Sequence, residues 1–344
     1  MSGPFTTPAT AAPNPAEVFR RVAPQMAALD RFMAEQVASF EPEIRSMAAY
    51  CLESSGKRLR PSLVFFAGWK GDGAVDDALV RAAGVLEMVH LATLVHDDIM
   101  DRADLRRNRG TATREFGPDA AVLLGDALFA QALHVAAQFP TTEVCRLVSE
   151  STRKVCSGEI MQTLHRRDLG VTRADYYRVI DLKTAELFRA ACFLGARLAG
   201  YDAAFVQAAN DFGRHLGIAY QIYDDLVDFL GEEKNIGKTL GTDLASGKLT
   251  LPLMLLLERL SPPERAELVE ALQGKRPMPL NASVERMRAL GIADGVAAAI
   301  DKELGSARAV LAPYATLEPV PLMLQLIELL KTQLAALYSG AAKP

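Results

Sequence analysis

The sequence of 344 residues predicts an all-α protein, a single-domain helical bundle. Long segments with apolar residues at helical spacing recur along the chain, and the alternating patterns typical of strands are scarce. A composition of 50% hydrophobic and 23% charged residues suits a globular protein with a large core. Four prolines without a basic or apolar stretch indicate a disordered segment over residues 1–15. We therefore predict one folded domain over residues 16–344.

The predicted helices follow from hydrophobic spacing and from residues that start or stop helices. Residues 79–95 are apolar almost all round, which indicates a helix in the middle of a large core. Pro118 near its start and Pro140 beyond its end frame the next helix. Seven further helices are predicted at residues 141–164, 176–198, 211–230, 249–260, 263–272, 293–311 and 321–338. The clearest loops are residues 231–248 and 274–283.

Composition and charge argue against several classes of function. The formal net charge is −4, so the chain has no excess of positive charge that would drive nucleic-acid binding. Residues 120–139 form the most apolar long window, but polar residues interrupt it, so we expect a buried helix rather than a membrane span. The four cysteines are scattered, as is usual for reduced thiols. We predict a soluble, cytoplasmic protein without stable membrane insertion.

Two aspartate clusters of identical spacing lie in apolar, helix-forming stretches. They are Asp97-Asp98-Ile99-Met100-Asp101 and Asp224-Asp225-Leu226-Val227-Asp228. Residues four apart share a helical face, and burying such like charges unpaired costs several kcal/mol. Hard oxygen ligands of this kind suit Mg²⁺, which is usually shared with substrate phosphates. One cluster alone could be a solvated helix end, whereas two with the same spacing make that interpretation poor.

Basic residues occur on both sides of the first cluster. Gly56, Lys57 and Arg60 form either a solvated basic turn or a site for a diphosphate, because Lys and Arg suit that ligand. Arg106 and Arg107 follow the cluster without the interleaved aromatic residues of an RNA-binding patch. They are better placed to hold the same phosphates from the other side. His90, nearly two turns before Asp97, could also reach a ligand there.

Further polar residues accompany the second half of the chain. Lys183 and Thr184 interrupt an apolar helix, where a Lys either extends to solvent or pairs with an anion. Gln221 precedes Asp225 by one turn and can face the same cavity. Lys238 and Lys248 bracket the loop after the second cluster, and cationic loops near phosphate sites often close over the ligand.

These segments, taken in order, resemble the trans-polyprenyl diphosphate synthases, the head-to-tail prenyl-elongating family of the terpenoid synthase fold. The resemblance covers about residues 54–252. It rests on GKRLRP at 56–61, HLATLVHDDIMD at 90–101, RR at 106–107, KT at 183–184, YQIYDDLVDFLG at 220–231 and GKTLGTDLASGKLTLP at 237–252. Two departures are Ser55-Gly56 in place of Gly-Gly, and Asn108 and Gly110 in the turn after the Arg pair. They concern loop geometry rather than the class of reaction.

The resemblance implies a helical bundle with a central substrate cavity and assigns a role to each matching residue. The implied Mg²⁺ ligands are Asp97, Asp101 and Asp224. Asp98, Asp225 and Asp228 are implied to support these ligands, and Asp228 is also implied as a residue of the metal site itself. The implied isopentenyl diphosphate site is Gly56, Lys57, Arg60, His90 and Arg107. The implied allylic diphosphate site is Arg106, Lys183, Thr184, Gln221, Lys238 and Lys248. The aspartates Asp97, Asp98, Asp101, Asp224 and Asp225, together with Lys183, are the implied catalytic residues.

The implied reaction joins isopentenyl diphosphate to an allylic diphosphate with Mg²⁺, three ions being expected when diphosphate is bound. The metal and the cationic side chains would stabilise the departing diphosphate, and an apolar cavity would protect the carbocation from water. The resemblance also implies a homodimer. A long product would pass to membrane enzymes, for example as a quinone side chain.

Residues before the first cluster carry information on product length. Thr93 and Ala92 lie about one turn, roughly 5.4 Å, below the metal site, and Val89 and Met88 lie one turn further. None of them is aromatic, so nothing at the first turn blocks a growing chain. We therefore predict a medium- or long-chain product.

Three other functions stay open at this point. A short-chain farnesyl or geranylgeranyl diphosphate synthase would share every motif. A terpene cyclase usually has a different second metal motif and lacks the GKRLRP region. A non-catalytic subunit of a heteromeric synthase tends to lose aspartates, and none is lost here.

Overall fold

The structure is a computed structural model that describes residues 15–52, 56, 58–71, 75–106, 109–231, 241–276 and 280–341. The predicted all-α class is confirmed, since the described part is helical apart from one two-stranded hairpin. The predicted disordered segment falls almost wholly outside the described residues. The single-domain boundaries stay a prediction.

The helices of the first half surround one central helix. They are α1 (Pro15–Arg20), α2 (Ala23–Ser39), α3 (Arg45–Leu52), α4 (Leu59–Ala67), α5 (Asp77–Met100), α6 (Ala112–Phe116), α7 (Pro118–Ala137) and α8 (Glu143–Leu164). The hairpin pairs β1 (Leu105–Arg106) with β2 (Arg109–Gly110) in antiparallel register. The central helix is α5, which packs against α2, α4, α7 and, from the second half, α10 (Glu186–Leu198).

The second half is built around α11 (Ala203–Leu230), which packs against α10 and against α16 (Ile292–Leu311). Before it come α9 (Arg173–Ile180), a π-helical segment (Asp181–Ala185) and α10 (Glu186–Leu198). After it come α12 (Thr242–Ser246), α13 (Leu251–Arg259), α14 (Pro262–Leu272), α15 (Leu280–Ala289), α16 (Ile292–Leu311), a 3₁₀ turn (Ala312–Tyr314) and α17 (Pro319–Ala341).

The two helices that carry the aspartate clusters begin at side-chain caps and end at the clusters. The Asp76 carboxylate accepts hydrogen bonds from the backbone N–H of Ala78 and Leu79 at the start of α5. The Asp202 carboxylate caps α11 through the N–H of Phe205. Such caps satisfy backbone donors that a helix leaves unpaired. The caps therefore fix where the two helices begin, and each aspartate cluster lies in the last turns of its helix or at its end.

Several predicted boundaries differ from the structure. The helix predicted at residues 211–230 begins eight residues earlier, at Ala203, because Asp202 supplies the cap. The loop predicted at 231–248 contains α12, which lies between Gly241 and Gly247, both with φ of 72°. Part of the loop predicted at 274–283 is helical, since α15 starts at Leu280. The uninterrupted helix predicted at 176–198 contains the π-helical segment.

In the part of the chain that the structure describes, three helices are long and apolar enough to cross a membrane by length and composition: Asp77–Met100, Pro118–Ala137 and Pro319–Tyr338. The most apolar window of α5 is 72% buried inside the protein. The corresponding window of α7 is only 39% buried, and Leu123 on it is 68% exposed. The burial predicted for this segment therefore applies to one face of α7, and the other face is apolar and exposed.

Candidate active site

The structure brings the two aspartate clusters to the C-terminal ends of α5 and α11. Asp98 is buried between its neighbours, whereas Asp97 is partly exposed and Asp101 is the C-terminal cap of α5. In the second cluster Asp224 is partly exposed, and Asp225 and Asp228 are buried. A helix C-terminus carries about half a negative charge, so carboxylates at this end are unfavourable without cations.

Cationic side chains from other elements contact every aspartate of the first cluster. Arg106 of the hairpin contacts Asp98 Oδ1 with two nitrogens, Nε at 2.7 Å and Nη2 at 2.6 Å. The Asp101 carboxylate accepts from Arg166 Nη2 at 2.5 Å and from Lys248 Nζ at 3.2 Å. The Lys183 ammonium lies 3.6 Å from Asp97 Oδ2. The pairing of cluster and cations predicted from the sequence is thus present at these residues.

The π-helical segment connects the two clusters through adjacent side chains. Lys183 faces Asp97 of the first cluster. Thr184 donates to Gln221 Oε1 at 2.6 Å, and Gln221 Nε2 donates to Asp225 Oδ1 at 2.7 Å. In a π-helix hydrogen bonds run from i to i+5, and such segments are frequent at functional sites. Two neighbouring residues can therefore serve opposite walls of one site.

A second connection runs through the chain after α11. Lys248 Nζ lies 3.2 Å from Asp101 and 3.6 Å from Asp243 Oδ1. The backbone N–H of Asp243 donates to Asp228 Oδ2 at 3.0 Å. The buried Asp228 carboxylate therefore holds α12 in place, which fits a supporting part better than direct contact with a metal.

The carboxylates differ in how their surroundings affect protonation. Burial, together with Glu159 and Asp101, raises the pKa of Asp97 to about 6 against the opposing effect of Lys183. Burial also acts on Asp101, but Lys248 and Arg166 outweigh it and lower the pKa of that carboxyl. Burial and nearby Asp243 raise the pKa of Asp225 well above its usual range, although Tyr176 and Gln221 donate hydrogen bonds to it. Asp97 and Asp225 therefore lie where additional positive charge would stabilise the ionised form.

The donor set fits Mg²⁺ that is shared with a phosphorylated ligand. Within the described ranges, no three His, Cys, Asp or Glu side chains converge closely enough to hold an ion alone. Mg²⁺ commonly takes one or two carboxylates and completes its octahedron with waters and substrate phosphates. Asp97, Asp101 and Asp224 are the side chains that would hold it.

Only some of the residues predicted to bind isopentenyl diphosphate lie in the part of the chain that the structure describes. Arg60 lies at the start of α4, with its guanidinium carbon 5.2 Å from the centre of the Phe188 ring. His90 is partly buried on α5, and its carbonyl accepts from Thr93 Oγ1 at 2.7 Å. Gly56 is partly buried. Lys57 and Arg107 lie outside the described residues, as does Lys238 of the predicted allylic site.

The positions predicted to affect product length all lie on α5. Met88 and Ala92 are fully buried, and Val89 is buried with 1% exposure. Thr93 is partly exposed and precedes Asp97 by four residues, so the two side chains share a face of the helix. Thr93 is therefore the small side chain that lies directly beneath the cluster.

Several site residues were not predicted from the sequence. Glu159 and Gln162 of α8 contact the Lys183 ammonium, Gln162 through Oε1 at 2.9 Å. Arg166 holds Asp101, and Tyr176 donates to Asp225 Oδ2 at 2.6 Å. Glu159 and Gln162 share one face of α8 and Arg166 follows in the turn after it, but a solvated helix face has the same pattern. The signal that distinguishes them is proximity to residues far away in the chain.

Helices that end in two aspartate clusters, with cations from several elements at the first cluster, form a candidate site for a polyanionic ligand. The sequence model of the Polyprenyl synthetase family matches residues 41–288. The octaprenyl diphosphate synthase of Escherichia coli (strain K12) is 34% identical over 291 residues, which is 84% of this chain and 90% of that protein. A short chain isoprenyl diphosphate synthase of Methanothermobacter thermautotrophicus is 34% identical over 248 residues, 71% of this chain and 76% of that protein.

The fold agrees with a solved structure of the same kind. The polyprenyl synthase from Caulobacter crescentus CB15, complexed with calcium and isoprenyl diphosphate, superimposes with a TM-score of 0.86 at 31% identity. The match covers 94% of this chain and 98% of the other. The chain belongs to the polyprenyl synthetase family and is a prenyltransferase. The predicted family, fold class and enzyme class are confirmed.

We expect opposite stability effects from neutralising two aspartates of the first cluster in metal-free protein. The pKa of Asp97 is raised to about 6, so its contribution to stability is fully present below the unfolded pKa and is lost as the pH rises through about 6. Asp97→Asn should therefore stabilise the protein more at about pH 8 than at about pH 4, by on the order of 2 kcal/mol. Urea unfolding with EDTA at both pH values measures this difference.

Asp101→Asn is the matched comparison. Lys248 and Arg166 lower the pKa of Asp101, so its stabilising contribution is present above the unfolded pKa and is lost as the pH falls through the folded value. This variant should be less stable than the wild type at about pH 8, with a smaller deficit at about pH 4. A destabilising effect of both variants at about pH 8 would contradict the electrostatic description of the cluster.

Proposed function

We propose that this prenyltransferase condenses isopentenyl diphosphate with an allylic diphosphate, head to tail and in trans, and that it makes a medium- or long-chain polyprenyl diphosphate. The observation that supports this most directly concerns the neighbours Lys183 and Thr184. The Lys183 side chain faces Asp97 of the first cluster, and the Thr184 side chain is linked through Gln221 to Asp225 of the second. Two carboxylate walls joined by cations form a site for a diphosphate with Mg²⁺. When bound, Mg²⁺ supplies positive charge to the departing diphosphate.

The cations that contact the aspartates have a second role in this proposal. Arg106, Lys183 and Lys248 neutralise Asp98, Asp97 and Asp101 in the metal-free protein. Metal ions at the carboxylates would repel these side chains. Their N–H groups would then turn to the oxygens of the allylic diphosphate, which accept charge-assisted hydrogen bonds.

The reaction needs little covalent chemistry from the protein. The allylic C–O bond breaks and its electron pair leaves with the diphosphate. The double-bond electrons of isopentenyl diphosphate form the new C–C bond, and the proton that is lost passes to the released diphosphate. Thr184 and Gln221 are hydrogen-bonded to each other, so they offer a polar but non-nucleophilic surface to the cationic carbon. Arg60 and His90, with Gly56, Lys57 and Arg107, are the proposed isopentenyl diphosphate site.

Purified protein should elongate labelled isopentenyl diphosphate in the presence of Mg²⁺ and allylic primers of several lengths. Asp97→Ala and Asp224→Ala should each lower kcat by roughly a hundredfold or more, because preorganised electrostatic groups contribute at this level. Asp301→Asn is the control, since Asp301 is an exposed residue of α16. Elongated product without any primer preference would still support prenyl transfer.

Two results would contradict this function. Cyclic hydrocarbon products without consumption of isopentenyl diphosphate would indicate a terpene cyclase. Absence of product with every primer would indicate that the chain acts as a subunit of a heteromeric enzyme.

The metal should be required, so EDTA should abolish elongation and added Mg²⁺ should restore it.

The proposed product length rests on the small side chains below the first cluster. Thr93 shares the face of Asp97, and no aromatic side chain occupies that turn of α5. A short-chain synthase is the second candidate, because proteins of both kinds are similar to this chain.

Thr93→Phe should shorten the product, because the ring would occupy the space about one turn, roughly 5.4 Å, below the cluster. Thr93→Ser is the matched control and should leave product length unchanged. Mass analysis of the dephosphorylated products measures the distribution. Identical products from Thr93→Phe and the wild type would show that the chain grows in another direction, and a farnesyl or geranylgeranyl product of the wild type would favour the second candidate.

We further propose that the protein is soluble, cytoplasmic and homodimeric. Val122 and Leu123 on α7, and Ile160 and Leu164 on α8, are exposed large apolar residues, with 42%, 68%, 59% and 76% exposure. Isolated apolar residues at a surface are ordinary, but a group on two adjacent helices favours a protein interface. A second copy of the chain would cover them.

Leu123→Glu combined with Leu164→Glu should convert the dimer to a monomer, because two charges would enter the contact. Light scattering after size exclusion measures the mass. Val75→Glu is the control, since Val75 is exposed in the segment before α5. A monomeric wild type, or a dimer that survives the double substitution, would contradict this interface.

A further inference from the structure

The π-helical segment that carries Lys183 lies between two helices that approach it at glycines. A methyl group at Gly158 of α8 would lie 2.7 Å from the Lys183 backbone nitrogen and 3.1 Å from its Cα. On the other side, a methyl group at Gly217 of α11 would lie 2.6 Å from the Cα of Ala185. Real Cβ atoms do not approach other atoms this closely. The position of the segment therefore depends on the absence of side chains at both glycines.

The residue after Gly158 contacts the end of the same lysine. The Glu159 carboxylate forms an ion pair with the Lys183 ammonium, and its side chain is 13% exposed. Gln162 Oε1, one turn later, accepts from the same ammonium at 2.9 Å. Helix α8 thus contacts Lys183 at its backbone through Gly158 and at its charged end through Glu159 and Gln162.

These contacts determine how Lys183 relates to Asp97. The ammonium lies 3.6 Å from the Asp97 carboxylate, which is longer than a charge-assisted hydrogen bond. A lysine side chain carries about 2 kcal/mol of rotamer entropy, so it does not hold one geometry unaided. Without Glu159, the only carboxylate that contacts the ammonium at the described residues would be Asp97. The lysine would then pair with Asp97 and occupy the position that a metal ion requires.

We propose that Gly158 and Glu159 of α8 are positioning residues for Lys183. Gly158 allows the close approach of the two backbones, and Glu159 holds the ammonium beside the first cluster without letting it close on Asp97. This inference rests on the proposed function, in which Lys183 binds the allylic diphosphate.

Glu159→Gln, measured alone and together with Lys183→Met, tests the role of the carboxylate. Positioning predicts that Glu159→Gln lowers kcat/KM for the allylic diphosphate by roughly tenfold, in the range of supporting residues that orient a site. The KM for isopentenyl diphosphate should stay within about twofold of the wild type. In the Lys183→Met background the same substitution should have no further effect, because residues that act through one another are non-additive.

The sign of the effect separates positioning from simple charge. Removing one negative charge near an anionic substrate would raise kcat/KM if Glu159 acted only by repulsion. Equal losses with and without Lys183 would indicate a structural role. Either result would overturn the inference. Glu150→Gln is the control on the same helix, since exposed Glu150 pairs with Lys154 at 2.9 Å away from the clusters, and it should retain wild-type kinetics.

Gly158→Ala tests the backbone contact. The added methyl group would displace Lys183, and a shift approaching 1 Å in a substrate-positioning group can lower kcat/KM by on the order of a hundredfold. Gly84→Ala is the matched control, because a methyl group there would lie 2.4 Å from Phe32 Cε1, at the contact of α5 with α2. It should lower stability without changing the ratio of the two substrate KM values.

Folded Gly158→Ala with wild-type kinetics would overturn the backbone part of the inference. If Gly158→Ala does not fold, the Glu159→Gln cycle still decides the question. Failure of the proposed function looks different, because wild-type protein would then make no elongated product. Full activity of Lys183→Met would contradict the assigned allylic site before any α8 variant is compared.

Discussion

Concentrated negative charge at the ends of two buried helices is the constraint on which the rest of the site depends. Six aspartates lie where α5 and α11 end, and the helix dipoles add to their charge. In a low-dielectric environment each unpaired carboxylate would be costly, so the surrounding elements supply cations. The hairpin contributes Arg106, the turn after α8 contributes Arg166, the π-helical segment contributes Lys183, and the chain after α12 contributes Lys248. Each of these four elements thus brings a cation to the first cluster.

The apolar core and the charged site support each other. The helix α5 is buried along most of its length, and α11 is buried on most of its last turns. This apolar surrounding strengthens the hydrogen bonds that Tyr176 and Gln221 donate to Asp225. In the proposed reaction, an apolar surrounding would also protect the carbocation from water. The same packing that raises the pKa of Asp97 and Asp225 therefore prepares the site for cations.

From the sequence it was possible to predict those site residues that form a repeated motif or that are charged within an apolar helix. The aspartate clusters contrast with the apolar helices around them, and Lys183 contrasts with the Ala, Leu and Phe beside it. Gln221 was predicted from helical spacing to face the same cavity as Asp225, and in the structure its Nε2 donates a hydrogen bond to that carboxylate. Glu159, Arg166 and Tyr176 were not predicted, because each acts on a residue that is distant in the chain. Helix α12 was not predicted because five residues between two glycines have little intrinsic helix stability, and a hydrogen bond to Asp228 holds them.

The π-helical segment also changes the angular relation between the helices on its two sides. In an uninterrupted α-helix each residue advances by about 100°, so every face is continuous from one end to the other. A π turn contains an additional residue, and the faces of α9 and α10 are therefore offset. Tyr176 can point to Asp225 while Glu186 and Arg189 point to Ser151 and Asn210 in a separate buried network. Because of the π-helical segment, the face of α9 that is directed to the aspartate site and the face of α10 that is directed to the buried network need not be aligned along one helix.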